Sequence, residues 1–213
     1  MKKKNYINSA KKAAAKQIAE LKKINKVFNS SFAKAVEAIH QSKGKVICAG
    51  VGKSGLIARK ISATLSSVGI SSFFLNPSEA NHGDLGQIER KDLLLVFSYS
   101  GNTTELLNML KYANRYNIKI IGIASRPDSI LIKSSDIKIL IPKVKESDPT
   151  GMVPTTSTSI TLLLGDCLAV ALMNKIKFSK ERFKVFHPGG NIGQTLLLVK
   201  DIMVSGSKIP KIN

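Results

Sequence analysis

The chain is poor in several things that would define its class. It has two cysteines, Cys48 and Cys167, in 213 residues. Both lie in apolar segments and lack metal-ligand spacing. That excludes a disulfide scaffold or a zinc module and leaves two reduced, buried thiols, as in a cytosolic protein. Long hydrophobic runs are also missing. The longest, Ile160 to Met173, is interrupted by Gly165 and Asp166 and is too short to cross a bilayer. Met1-Lys2-Lys3-Lys4 is followed by no continuous apolar core, so a signal peptide is not expected. No low-complexity tract is sustained, and the apolar share of 43% is enough for one globular domain with a good core.

Acids are scarce. Fourteen Asp and Glu against 33 Lys and Arg give a formal charge of +19. Residues 1–28 alone hold nine lysines and one acid, Glu20. Such a balance fits nucleic acid or an anionic membrane. It equally fits a solvated lysine face in a lysine-rich chain. Arginine-rich and aromatic-interleaved patches, which would sharpen the first reading, are absent from the sequence. Neither nucleic acid nor membrane is expected as a partner. A basic field also attracts a sugar phosphate.

What is present is an alternation of strands and helices. Ala14, Ile18, Leu21 and Phe28 recur at helical spacing over residues 8–28, and Phe32, Val36 and Ile39 mark a second helix capped by Ser30 or Ser31. This N-terminal pair, residues 1–42, is expected to pack on the domain or on a partner. His40 reads as structural at a helix C-terminus, where a cation is tolerated. Strands are read at Lys45–Ala49, Ser72–Leu75, Asp92–Phe97, Ile118–Ala124 and Ile137–Ile141, separated by helical patterns. Right-handed crossovers then give a parallel sheet, a three-layer αβα sandwich of flavodoxin or Rossmann type.

Polar chemistry concentrates where strands turn into helices. After Leu93–Phe97 comes Ser98-Tyr99-Ser100-Gly101-Asn102-Thr103-Thr104-Glu105. Short hydroxyls and free N–H groups at a helix start suit a phosphate. Glu105 would repel it and is better placed on the ligand's other end. Gly50-Val51-Gly52-Lys53-Ser54-Gly55 lacks the Gly-x4-Gly-Lys-Ser/Thr spacing and the dinucleotide fingerprint. Both nucleotide readings are rejected; the turn supplies a lysine at the sheet edge. His82, in the polar loop Ser78 to Gly86, has little packing reason to exist and reads as functional. Five hydroxyls, Thr155 to Ser159, open the apolar helix Ile160–Met173. They form either an anion- or sugar-binding N-terminus or an ordinary cap, which needs one of them. Asp166 reads as a structural acid. Phe183 to Asn191 ends in His187-Pro188-Gly189-Gly190: either an imidazole offered to a site, a neighbouring subunit's included, or a solvated side chain in a Pro-Gly turn.

These motifs, with Glu79-Ala80-Asn81-His82-Gly83-Asp84-Leu85-Gly86 and Pro154-Thr155-Thr156-Ser157-Thr158, stand in the order and spacing of sugar isomerase (SIS) domains, and in particular of arabinose-5-phosphate isomerases. The resemblance covers Lys45 to Met203. It implies a SIS fold over residues 43–198 and interconversion of D-arabinose 5-phosphate and D-ribulose 5-phosphate, which feeds the eight-carbon acidic sugar of lipopolysaccharide. It implies a catalytic set of Lys53, His82, Glu105 and His187. Substrate contacts are implied at Ser54, Gly69, Ile70, Ser98, Ser100, Thr103, Glu146, Thr156 and Ser157. No cofactor is implied, and the partners are a small pentose phosphate and copies of the chain in a cytoplasmic homotetramer with shared sites. Asn76 stands where such isomerases often carry a histidine that binds zinc as an inhibitor, so no metal is expected there. Asn102 replaces a glutamate, changing loop charge but not phosphate binding. Val199-Lys200-Asp201-Ile202-Met203 resembles the start of paired regulatory (CBS) modules. With ten residues after Met203, the chain is expected to hold the isomerase domain alone, 199–213 being a linker remnant.

Aldose–ketose isomerisation passes a proton between C1 and C2 through an enediol. It needs a base, an oxyanion stabiliser and help with ring opening, and no metal in principle. Glu105 is read as the base, with His82 or His187 as alternative. Lys53 polarises the sugar oxygens, and His187 assists ring opening or proton return. A module that senses sugar phosphate without catalysis, or an isomerase of another phosphosugar, remains the alternative; a sensor would be expected to have lost the catalytic groups that are present here.

Overall fold

The computed structural model describes residues 4–187, 199, 203–206 and 209. Pro188-Gly189-Gly190-Asn191 and most of residues 199–213 lie outside the described residues. Strands β1 (Val46–Ala49), β2 (Ser72–Leu75), β3 (Leu93–Phe97), β4 (Lys119–Ala124) and β5 (Ile137–Leu140) form one five-stranded sheet in the order β2-β1-β3-β4-β5. Every neighbouring pair is parallel. The strands match the expected ones to within a residue at their ends.

Side chains alternate across a strand, so each strand feeds two cores. Cys48, Leu93, Leu95, Phe97, Ile121 and Ile123 point to one face and meet α2 (Ser30–Gln41), α3 (Gly52–Ser67) and α7 (Thr156–Lys175). Ile47, Ala49, Leu94, Val96, Ile120 and Ala124 point to the other and meet α4 (Pro77–Ala80), α5 (Leu106–Arg115) and α6 (Ile130–Lys133). Burial of Cys48 pushes its thiol up to about 12, so it is a packing residue without nucleophilic character.

α7 is the central helix of the first core. At 20 residues it outruns the apolar stretch that defined it, so its length alone does not exclude a membrane span. Ile160, Leu164, Leu168 and Leu172 are nevertheless buried in the core. Gly165 lets α3 approach, because a Cβ there would collide with the Ile61 side chain. Asp166 pairs with Lys60 of α3, as befits a structural acid.

The N-terminal helices differ from expectation in their caps and faces. α1 (Lys4–Leu21) starts earlier than residue 8 and ends in a 3-10 turn, Lys22–Val27. Asn29, not Ser30 or Ser31, caps α2, its Oδ1 accepting from Ser31 N at 2.9 Å. His40 lies in the last turn of α2, at the helix C-terminus as expected, and its side chain is exposed. The apolar stripe read on α1 is not its buried side: Ile18 is 59% exposed and Ala14 is exposed too. Of that stripe Leu21 packs against the core, and Ile24 and Val27 of the 3-10 turn make the other apolar contacts. Upstream of them, α1 meets the domain through polar side chains.

Candidate active site

The chain reverses its direction of travel between β1 and β3. α3 leaves β1 on one face and α5 leaves β3 on the other, so a crevice opens beyond the carboxyl ends of these strands. A cleft of about 750 Å³ lies there. The turn after β1 and the start of α3 line it with Val51, Lys53, Ser54 and Ile57. The β3 loop adds Ser98, Tyr99, Ser100 and Thr103, and α7 adds Ser157, Thr158 and Thr161. The β5–α7 loop supplies Val144, Lys145, Glu146, Gly151, Met152 and Pro154, and Lys16 of α1 reaches the wall from outside the sheet.

The β3 loop is held by its own hydroxyls. Ser98 Oγ lies 2.9 Å from Thr103 Oγ1 and accepts from Gly101 N at 3.1 Å. Ser100 Oγ accepts from Asn102 N at 3.3 Å, and Asn102 Oδ1 accepts from Ile130 N at 2.9 Å. Gly101 has φ +70°, and a Cβ there would collide with Ser129. Glycine is therefore required by both conformation and space. Asn102 ties this loop to the start of α6. Val51, the N-cap of α3, has no side-chain acceptor to cap it, and among the described residues the helix's first-turn N–H groups are open to an anion.

Glu146 occupies the start of α7. Its Oε2 accepts from Thr155 N at 2.8 Å, Thr156 N at 2.7 Å and Ser157 N at 3.2 Å. Burial pushes the carboxyl up, but the hydrogen bonds from Ser157 and Thr155 outweigh it and hold the group below the ordinary value. The hydroxyl cluster is thus neither a simple self-cap nor an empty anion seat: a carboxylate from the preceding loop caps the helix. Tyr99 joins this loop to the β3 loop, its hydroxyl accepting from Val144 N at 2.8 Å. Burial, and then the nearby Glu146 charge, push the phenol up, so it stays neutral. Of the charged groups on the wall, Lys16, Lys53 and Lys145 are cations and Glu146 is the acid.

The sequence model of the SIS domain matches residues 38–171, more than half of the chain. The chain belongs to the SIS domain family. Arabinose 5-phosphate isomerase KdsD of Yersinia pestis is 42% identical over 206 residues, covering 94% of this chain and 63% of that protein. An uncharacterized protein of Rickettsia prowazekii (strain Madrid E) is also 42% identical over 206 residues, 97% of this chain and 64% of that one. This chain therefore spans under two thirds of the length of these curated relatives. A solved Escherichia coli CFT073 protein in complex with arabinose 5-phosphate has a TM-score of 0.84 and 34% identity, covering 88% of this chain and all of that one.

In this SIS domain the expected site residues sort into separate places. The cleft gathers Lys53, Ser54, Ser98, Ser100, Thr103, Glu146 and Ser157. Thr156 does not line it; it is buried, and its hydroxyl has no hydrogen-bond partner among the described residues. Glu105 is exposed just before α5, on the opposite face of the sheet from α3. His82 is exposed in a loop held to α5 by Asn108 Nδ2 donating to Asn81 Oδ1 at 2.9 Å, so it sits beside the turn that Glu105 opens.

Gly69, Ile70 and His187 lie at the far end of the sheet, where α3 ends and β2 begins. α8 (Lys180–Phe186) brings Phe186 against Gly69. His187 stacks on Phe183 at 3.8 Å between ring centroids, with Nδ1 2.9 Å from Phe183 O. Asn76 caps α4, accepting from Ser78 N at 3.1 Å. Among the described residues no three His, Cys, Asp or Glu side chains group to hold a metal. Sequence reasoning missed Tyr99 as a bridge between loops and Lys16 on the wall. Nothing marks Lys16 among the N-terminal lysines until the fold brings α1 alongside the cleft.

Proposed function

We propose that the chain interconverts D-arabinose 5-phosphate and D-ribulose 5-phosphate and so supplies lipopolysaccharide synthesis in the cytoplasm. The observation that carries this reading is the cleft at the β1–β3 crevice, where the Ser98, Ser100 and Thr103 hydroxyls share a wall with Lys53. Kinship with KdsD at 42% identity supports the substrate. The phosphate sits on the hydroxyls and amides of the β3 loop, with Ser157 near the sugar and Ser54 and Glu146 contributing contacts; Thr156 acts through its N–H bond to Glu146, and Gly69 and Ile70 reach the cleft of a neighbouring copy. Glu105 takes the proton from C1 of the ketose, the C1–H electron pair forms the C1=C2 bond of the enediol as the C2 carbonyl pair moves onto O2, and collapse to the C1 aldehyde returns a proton from the base to C2 while the O1 hydrogen passes to O2. Lys53 stabilises the oxygen that gains charge. His187 assists ring opening, and His82 or His187 is the alternative base.

The site is read as shared within a homotetramer. Two observations favour sharing. His82, Glu105 and His187 do not line their own chain's cleft. Apolar side chains stand exposed on α3 and α7, with Leu56 70% and Val170 54% exposed. A coupled assay in both directions tests the assignment. Wild type is expected to turn over both pentose phosphates, and Glu105→Gln is expected to lose about 10²–10⁴-fold in kcat. Undiminished turnover by that variant would remove Glu105 from the mechanism.

A further inference from the structure

α1 lies outside the residues that the SIS model matches, yet Lys16 stands on the cleft wall. The helix is inverted relative to an ordinary amphipathic one. Ile7, Ala14 and Ile18, spaced i, i+7, i+11, form a stripe left exposed. The side that carries Ala13, Gln17 and Glu20 meets the domain. Gln17 Nε2 donates to Ser147 Oγ at 3.0 Å, and Gln17 Oε1 accepts from Ser159 Oγ at 3.0 Å. Glu20 Oε2 accepts from Lys145 N at 3.0 Å.

These bonds fasten one turn of α1 to both sides of Glu146, the acid of the cleft wall. Lys16 is in that turn, and Glu20 is its i+4 neighbour. Glu20 is already engaged by Lys23 Nζ at 2.6 Å, and among the described residues Lys16 has no acid partner. A cation held at the edge of a cleft, with its natural partner taken, is set to meet an anionic ligand.

We propose that Lys16 binds the phosphate of the sugar phosphate in this cleft, with Gln17 as the residue that positions its turn of helix. The proposal rests on the phosphosugar reading above. The interaction is charge-assisted and exposed, so it acts on affinity more than on the chemical step.

The test measures KM and kcat for arabinose 5-phosphate, and its calorimetric Kd, on Lys16→Ala, Lys16→Arg and, as a control of equal charge on another side of α1, Lys11→Ala. Lys16→Ala is expected to raise KM and Kd about tenfold with kcat within about twofold. Lys16→Arg restores most of the loss, Lys11→Ala matches wild type, and about 0.5 M salt shrinks the gap. Gln17→Ala shifts KM the same way, and combining it with Lys16→Ala adds little. If Lys16→Ala binds like Lys11→Ala while wild type turns over, this inference falls and the isomerase reading stands. A wild-type chain that binds no sugar phosphate overturns both.

Discussion

Glu146 couples the helix start, the loop and the cleft through one carboxylate. Three backbone amides at the positive end of α7 donate to it. Glu146→Ala is expected to cost about 1–2 kcal/mol in chemical denaturation, the range of a lost N-cap. The pH dependence follows from its lowered carboxyl. A depressed folded-state pKa gives stability that is present above the ordinary value of 4.5 and is lost as pH falls through the lower folded value. Melting temperatures of wild type should therefore drop faster below pH 4.5 than those of Glu146→Gln. Parallel acid limbs would show that the carboxylate does not cap in solution. At Gly101, an alanine would meet Ser129 at a positive φ. That substitution is expected to destabilise by about 1–3 kcal/mol and to abolish sugar-phosphate binding, read by melting and calorimetry.

α1 shows how far element-level reading reaches. Its period was legible, because Ala14, Ile18 and Leu21 recur at helical spacing. Its orientation was not, since amphipathicity gives a face and not the surface that the face meets. Gln17 and Glu20 turn inward because acceptors and donors from residues 145–159 wait there, far away in sequence. The strands were legible almost to the residue: parallel strands covered on both faces read as continuous apolar runs such as Leu93–Phe97. The phosphate-type loop was legible because hydroxyls and a glycine follow such a run directly. The capping of α7 by Glu146 was not, because it depends on where the loop from Lys143 to Pro154 folds back. Gln17→Ala is expected to speed amide exchange at Ser147, whose hydroxyl loses its tie to α1, while exchange in β3 stays unchanged. Equal exchange in both would mean that α1 does not restrain the loop.

At the scale of the whole molecule the expected site residues fall at opposite ends of one sheet, with Lys53 and the hydroxyls at one end and Gly69, Ile70 and His187 at the other. A homotetramer in which one copy's far end completes another's cleft would reunite them. Light scattering is expected to give a tetrameric mass, and Val170→Lys to lower both mass and turnover; full turnover by a monomer would sink the shared site. The formal charge of +19 would speed capture of an anionic substrate and make its capture salt-sensitive.

The most direct measurement is NMR of D-ribulose 5-phosphate incubated with the chain in D2O. The account predicts D-arabinose 5-phosphate carrying deuterium at C2, since the transferred proton exchanges on the enzyme's base. A chain that binds the ketose phosphate yet yields no aldose and no exchanged carbon-bound proton would contradict it.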